Sequence, residues 1–187
     1  GRDFNNCLKW ITFLINYLTG SRVSEICSLT IRSIDLNLDV IKFKVKDTVK
    51  RKDTTKVIPI APFLREQVIL YLRLREDVLK SLGLKDFPFL LFTANGKKPK
   101  QLTEDEINDF YREISINCGI PYFTSHSIRY QTQTDMTAAG LDFLYANCLL
   151  SHYPLRDEIF SKYTDVSFTD FRKKYLKKIE QLLEEML

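Results

Sequence analysis

Residues 39–46 alternate strictly: Ile41, Phe43 and Val45 fall on one side, and Val40, Lys42, Lys44 and Lys46 on the other. A period of two sends successive side chains to opposite faces, so this stretch reads as a half-buried strand with its lysines in water. A polar stretch follows, and then Lys56-Val57-Ile58-Pro59-Ile60, which closes a hairpin or small sheet around a basic loop. Nearly all the rest of the chain is patterned at helical spacing. Residues 4–18 place Phe4, Leu8, Ile11, Leu14, Ile15 and Leu18 on one stripe. Thr19-Gly20-Ser21 breaks that helix and caps the next, expected over about 22–30. A long helix is expected over about 63–82, ended by Gly83. A short apolar run at 89–92 leads to an Asn95-Gly96 turn. Helices follow at 103–117, closed by Gly119 and Pro121, and at 125–139, closed by Gly140. Residues 141–150 read as a buried helical stretch that Pro154 interrupts. In the tail, 168–186, Phe168, Phe171, Tyr175, Ile179, Leu182 and Met186 make one apolar stripe, with Ser167 and Asp170 as a capping-box-like start. The expected fold is therefore mainly α with a small antiparallel β-sheet (α+β), one domain spanning 1–187.

Composition narrows the function classes. A chain of 187 residues that is 44% apolar and 28% charged can bury a real core and is not disordered. No apolar run approaches the ~20 residues that span a bilayer, so no membrane role is expected. The four cysteines Cys7, Cys27, Cys118 and Cys148 lie far apart without a C-x-x-C pair, and there are two histidines, His126 and His152. A disulfide scaffold, a zinc ribbon and a His-rich metal centre all fall away, leaving a reduced, intracellular protein. The net charge of +4 permits a nucleic-acid partner without requiring one. Its distribution says more: from Lys42 to Lys56 there are seven basic residues against the acids Asp47 and Asp53. The chain opens on Gly1 rather than Met and runs directly into an amphipathic stretch, which reads as a piece of a longer protein.

Four segments carry the chemistry: Gly20-Ser21-Arg22-Val23-Ser24-Glu25; the basic hairpin ending in Val57-Ile58-Pro59-Ile60; His126-Ser127-Ile128-Arg129; and Leu149-Leu150-Ser151-His152, with Tyr163 eleven residues beyond His152. Each has an ordinary explanation alone. Arg22 pairs with Glu25 at a helix start, strand lysines form a solvated face, and residues three apart on a helix make a surface pair. A histidine beside an apolar run is usually a hydrogen-bonded core residue, and most tyrosines pack with a wetted hydroxyl.

In this order and at these spacings, the segments resemble the catalytic domain of the tyrosine recombinases, the integrase family of site-specific DNA recombinases, over about 22–163. That family carries a G-x-R-x-S-E-type box, a lysine on a hairpin before a V-P-L-like strand, an H-x-x-R box, a G-H-type box, and a tyrosine about ten residues later. The resemblance implies a DNA-cutting and rejoining enzyme that uses neither metal nor ATP. Tyr163 would attack the scissile phosphate and leave a 3′-phosphotyrosyl link and a free 5′-hydroxyl. Arg22 and Arg129 would clamp the phosphate, for which a planar guanidinium that stays charged is suited. His126 would take or relay the tyrosine proton, His152 would bond a phosphate oxygen, and Glu25 would buttress Arg22. A hairpin lysine would protonate the departing 5′-oxygen.

The resemblance has departures. The family spacing for the lysine falls near Arg51, which cannot donate a proton; Lys52 is our choice, with Lys50 the alternative. Ser151 stands where glycine is usual. Tyr153 and Tyr175 are rival nucleophiles, the first too close to His152, the second on the tail's apolar stripe. Lys42 and Lys44 are candidate contacts to the DNA backbone. The family further implies a double-stranded DNA partner, a tetramer on DNA, no small-molecule substrate, an N-terminal core-binding domain upstream of this piece, and action in the host cytoplasm or nucleoid. Residues 167–187 either pack on their own domain or dock on a neighbouring subunit, as the segment after the tyrosine often does in the family, and docking is our expectation. A viral, plasmid or transposon integrase fits, as does a chromosomal dimer resolvase. A non-catalytic DNA-binding module, a type IB topoisomerase, a telomere resolvase and an unrelated helical interaction domain are the competing readings. Two arginines far apart in space would favour the last.

Overall fold

Helix α1 (Arg2–Thr19) is the axis around which the core is assembled. The computed structural model describes residues 2–46, 53–94, 98–150 and 168–186. The apolar stripe expected on α1 is the buried one: Phe4, Leu8, Ile11, Leu14, Ile15 and Leu18 are each 3% exposed or less. Helices α3 (Pro62–Ser81), α4 (Glu104–Cys118) and α5 (Ser125–Ala138) pack around it. Pro62 opens α3 at a position whose N–H would have no partner in the helix anyway. Helix α4 starts on a capping box in which Thr103 Oγ1 accepts the Glu106 N–H, while the Glu106 carboxylate accepts the Thr103 N–H at 2.8 Å. Helix α5 is tied to α1 by Tyr17, whose hydroxyl donates to Asp135 at 2.7 Å, and by Thr132, whose hydroxyl donates to the Tyr17 carbonyl at 2.6 Å.

The sheet follows the alternation read from the sequence. Strands β1 (Ile34–Asp35), β2 (Val40–Lys46) and β3 (Asp53–Pro59) are antiparallel in that order, with Ile41 opposite Ile58 and Phe43 opposite Lys56. Ile41, Phe43 and Ile58 are fully buried against the helices, while Lys42 and Lys44 face outward. A second small hairpin pairs β4 (Phe92–Thr93) with β5 (Lys100–Gln101).

The helix expected over about 22–30 is shorter: α2 is Val23–Cys27. The chain leaves it to make tertiary bonds. Thr30 bridges to Phe89, the Leu90 N–H donates to the Leu29 carbonyl at 2.8 Å, and the Gln101 side chain donates to the Cys27 carbonyl at 2.9 Å. The β-branched pair Thr30-Ile31 resists continuation of a helix, and these partners settle the matter.

Helix α6 (Phe143–Leu149) packs beside α5, and α7 (Phe168–Met186) closes the described chain. The stripe Phe171, Tyr175 and Ile179 of α7 is fully buried on its own domain. Tyr145, Phe171 and Tyr175 form a row of rings with centroids 5.7 and 5.6 Å apart. The Tyr175 hydroxyl donates to the Leu18 carbonyl, and Arg172 donates to the Leu38 carbonyl at 2.7 Å. Among the described residues no helix is long and apolar enough to cross a membrane.

Candidate active site

The loop between α1 and α2 is fixed from both sides. Gly20 takes a left-handed conformation, φ +57°, that an L side chain rarely adopts, and a Cβ there would lie 3.2 Å from Leu150 Cδ2. Asn16 donates to the Ser21 carbonyl at 3.0 Å and accepts the Tyr111 hydroxyl at 3.0 Å. The turn delivers Arg22 to the start of α2. There the Glu25 carboxylate accepts the Arg22 backbone N–H at 3.0 Å and the Arg22 guanidinium at 3.2 Å. The Arg22 side chain remains 46% exposed, so its charge still reaches solvent.

The second box is presented by α5. Thr124 caps this helix by accepting the Ser127 N–H at 3.1 Å, and Ser125 donates through its N–H and hydroxyl to Asn108. This sets the helix entry and places His126 exposed, with Arg129 one turn on and buried. Arg129 donates through one guanidinium nitrogen to the Gly20 carbonyl and through the other to the Leu150 carbonyl. Burial, then the charge of Arg22, bring the Arg129 guanidinium down to about 10, still well above neutral pH.

Arg22, His126 and Arg129 line one pocket of about 320 Å³, with Ser24, Glu104 and Tyr130 on the same wall. The two arginines thus face the same pocket. The Tyr130 ring meets His126 edge-on with centroids 4.7 Å apart.

Beneath the pocket lies a cation the sequence reading passed over. Lys56, on β3, is 6% exposed and its ammonium donates to Ser21 Oγ at 2.9 Å, to Glu25 at 3.0 Å and to the Leu149 carbonyl at 3.1 Å. Its position carried the signal. Lys56 is in phase with Ile58 and Ile60, on the buried face of the strand, whereas Lys42 and Lys44 belong to the outer face. Burial alone would push the Glu25 carboxyl up, but Lys56, the Arg22 N–H and Arg129 together hold it below the ordinary carboxylate value. Three cationic groups thus share one buried carboxylate, and the pocket is left with surplus positive charge. Glu104 and Tyr130 are pocket residues that no sequence motif singled out.

Lys52, Lys50, His152, Tyr153 and Tyr163 lie outside the described residues. Of the tyrosines that are described, Tyr175 is buried with its hydroxyl committed to Leu18 and its pKa raised by burial, so it is unfit as a nucleophile. Tyr17, Tyr71 and Tyr111 also donate to protein acceptors. Tyr130 is exposed at the pocket and Tyr122 is exposed elsewhere on the surface.

A pocket lined by two arginines and a histidine sits on a mainly helical fold, and the chain belongs to the phage integrase family, whose model matches residues 5–170. The tyrosine recombinase XerA of Pyrococcus furiosus is 32% identical over 142 residues, which cover 76% of this chain and 45% of that protein. The tyrosine recombinase XerC of Staphylococcus haemolyticus is 28% identical over 161 residues, covering 86% of this chain and 50% of that protein. The crystal structure of a XerA recombinase superimposes with a TM-score of 0.61 at 21% identity over 95% of this chain and 63% of that one, which shows the shared fold. The chain spans about half the length of these curated relatives.

Proposed function

We propose that the chain is the catalytic portion of a site-specific DNA recombinase, one that cuts and rejoins DNA strands through a 3′-phosphotyrosyl intermediate. One observation carries this reading: Arg22 and Arg129, 107 residues apart in the chain, meet at one pocket that has surplus positive charge. A phosphodiester passing through its transition state spreads negative charge over its non-bridging oxygens, and preorganised guanidinium groups lower that barrier.

In the proposed reaction the Tyr163 hydroxyl attacks phosphorus, His126 takes its proton, and a tyrosyl–phosphate ester forms as the bond to the 5′-oxygen breaks. Lys52, or Lys50, gives the departing 5′-oxygen its proton. His152 donates to a phosphate oxygen. A 5′-hydroxyl from a second strand reverses these steps and releases the tyrosine. The ester keeps the bond energy, so no nucleotide cofactor enters. DNA is the macromolecular partner, with Lys42 and Lys44 as backbone contacts, and a tetramer assembled on two duplexes is the working form. The site of action is where the cell keeps its DNA.

The experiment is a trap. The chain is incubated with a library of nicked duplexes from which the cleaved end diffuses away, and the covalent protein–DNA adduct is digested and its peptide mapped. The expected adduct maps to Tyr163, disappears in Tyr163→Phe and persists in Tyr130→Phe. An adduct on another residue, or none with any duplex, overturns the reading.

A further inference from the structure

We propose that Lys56 is a positioning residue of the strand-cleavage site: its buried ammonium locks the Arg22–Glu25 turn to the C-terminal end of α6, so that the two phosphate-clamping arginines keep one spacing. The inference rests on the recombinase reading and adds a role that the reading does not use.

An ammonium has three hydrogens, and each has an acceptor here: Ser21 Oγ, Glu25 Oε2 and the Leu149 carbonyl, at 2.9, 3.0 and 3.1 Å. The Phe43 ring covers the group, with its centroid 4.8 Å away. No hydrogen remains to point at a substrate, and Lys56 is absent from the pocket lining. Its geometry is therefore that of a brace and not of an acid delivering a proton to DNA.

The three acceptors belong to two segments distant in sequence. Ser21 and Glu25 flank Arg22. Leu149 precedes Leu150, whose carbonyl accepts from Arg129. Lys56 thus joins the support of one arginine to the support of the other, from a third segment, strand β3. It also fixes Glu25, whose carboxylate holds Arg22 by backbone and side chain. Without the ammonium, that carboxylate would lean more heavily on the arginines, drawing on the charge they hold for phosphate. A buried ion pair is a poor source of stability, because desolvation of both ions offsets their attraction, and an apolar side chain of similar volume often serves as well. What Met at this position would lack is the link among the three acceptors.

The test compares wild type, Lys56→Met and the surface control Lys80→Met. Hydrogen exchange without DNA reads the brace itself; single-turnover adduct formation at saturating nicked DNA reads chemistry; titration with the same duplex reads affinity. Lys56→Met should speed exchange in 20–26 and 145–150 together. It should slow cleavage by about 10–100-fold, the cost of losing an outer support of a reactive group, a loss larger than any accompanying fall in affinity. A substrate whose 5′-bridging oxygen is sulfur needs no proton on its leaving group, so it should be slowed to the same extent. Restoration by sulfur would make Lys56 the proton donor and overturn the proposal, as would wild-type cleavage or wild-type exchange in either segment. If Lys56→Met does not fold, Ser21→Ala removes one acceptor and no charge. Faster exchange in both segments with slower cleavage then supports the brace, and wild-type behaviour overturns it. Absence of adduct from the wild type overturns the recombinase reading, and the proposal with it.

Discussion

Arg129 reaches from α5 to the Gly20 carbonyl, so one proposed clamp arginine is held by the very loop that presents the other, Arg22. The two boxes are therefore coupled through backbone before any DNA arrives. This dependence makes Gly20 the most exacting position in the loop.

Gly20→Ala should cost about 1–2 kcal/mol for the left-handed conformation alone. A further cost comes from the Cβ that would sit 3.2 Å from Leu150 Cδ2. Gly83, at φ +71° with nothing within 4 Å of a built Cβ, is the matched control. Urea unfolding should show a loss in both variants, larger at Gly20. Only Gly20→Ala should also slow adduct formation, since only there does the backbone that holds Arg129 shift. Equal behaviour of the two variants would detach Gly20 from the site.

Arg22 and Arg129 should separate in stability and agree in rate. Each substitution to Ala should cost about 10²–10³ in single-turnover cleavage, the loss typical of one preorganised donor. Arg22 is half exposed, so its pairing with Glu25 adds little to folding, under about 1 kcal/mol. Arg129→Ala leaves the Gly20 and Leu150 carbonyls without their guanidinium donor. A buried acceptor stranded in this way costs about 1–3 kcal/mol. Thermal unfolding beside the cleavage assay checks both halves of this expectation.

These contrasts show where the sequence was readable. The alternation of 39–46 placed Ile41 and Phe43 in the core, and the 3.6-residue spacing of 4–18 placed α1 there. Both are local periodicities, and the sheet register and helix stripe follow them. The end of α2 was not readable, because Thr30 and Cys27 spend their backbone groups on Phe89 and Gln101, partners about 60 and 74 residues away. Arg22, His126 and Arg129 could be singled out because each falls in a short box of fixed spacing, and the fold gathers them at one pocket. Lys56 was overlooked because it sat among six other basic residues, and only its phase with Ile58 distinguished it. Glu104 and Tyr130 reach the pocket through the packing of α4 and α5, which no short motif records.

Stability should depend on pH through Lys56. Burial lowers its ammonium from 10.5 to about 8, although Glu25 pulls the other way. A cation with a depressed folded value binds fewer protons in the native state than in the unfolded chain between those two values. Stability relative to Lys56→Met should therefore rise as pH goes from about 8 to 10.5, and be flat below about 7. Unfolding free energies of both proteins across that range test the sign. A falling difference would mean that the native ammonium is held more tightly than water holds it.

Chelation should leave cleavage unchanged. The positive charge that a metal ion would otherwise bring to the phosphate is already present in Arg22 and Arg129, both lining the pocket. Adduct yield with and without an excess of chelator, at fixed ionic strength, is the measurement. A loss restored by one divalent ion would show that the guanidinium pair is insufficient.

Glu104 is the acid on the pocket wall, exposed at the start of α4. Its carboxylate opposes the approach of a phosphate and partly cancels the field of the arginines across the opening. It also sits in the first turn of a helix whose N-terminal dipole favours negative charge, with Asp105 and Glu106 beside it, so the helix itself can spare one acid. Glu104→Gln keeps the shape and removes the charge. DNA should then bind severalfold more tightly at low salt, and the gain should shrink as ionic strength passes about 0.15 M, where screening shortens to ~8 Å. Fluorescence anisotropy across a salt series distinguishes this from a packing effect, which would not vary with salt. If affinity falls at every ionic strength, Glu104 orders the pocket instead of opposing its ligand.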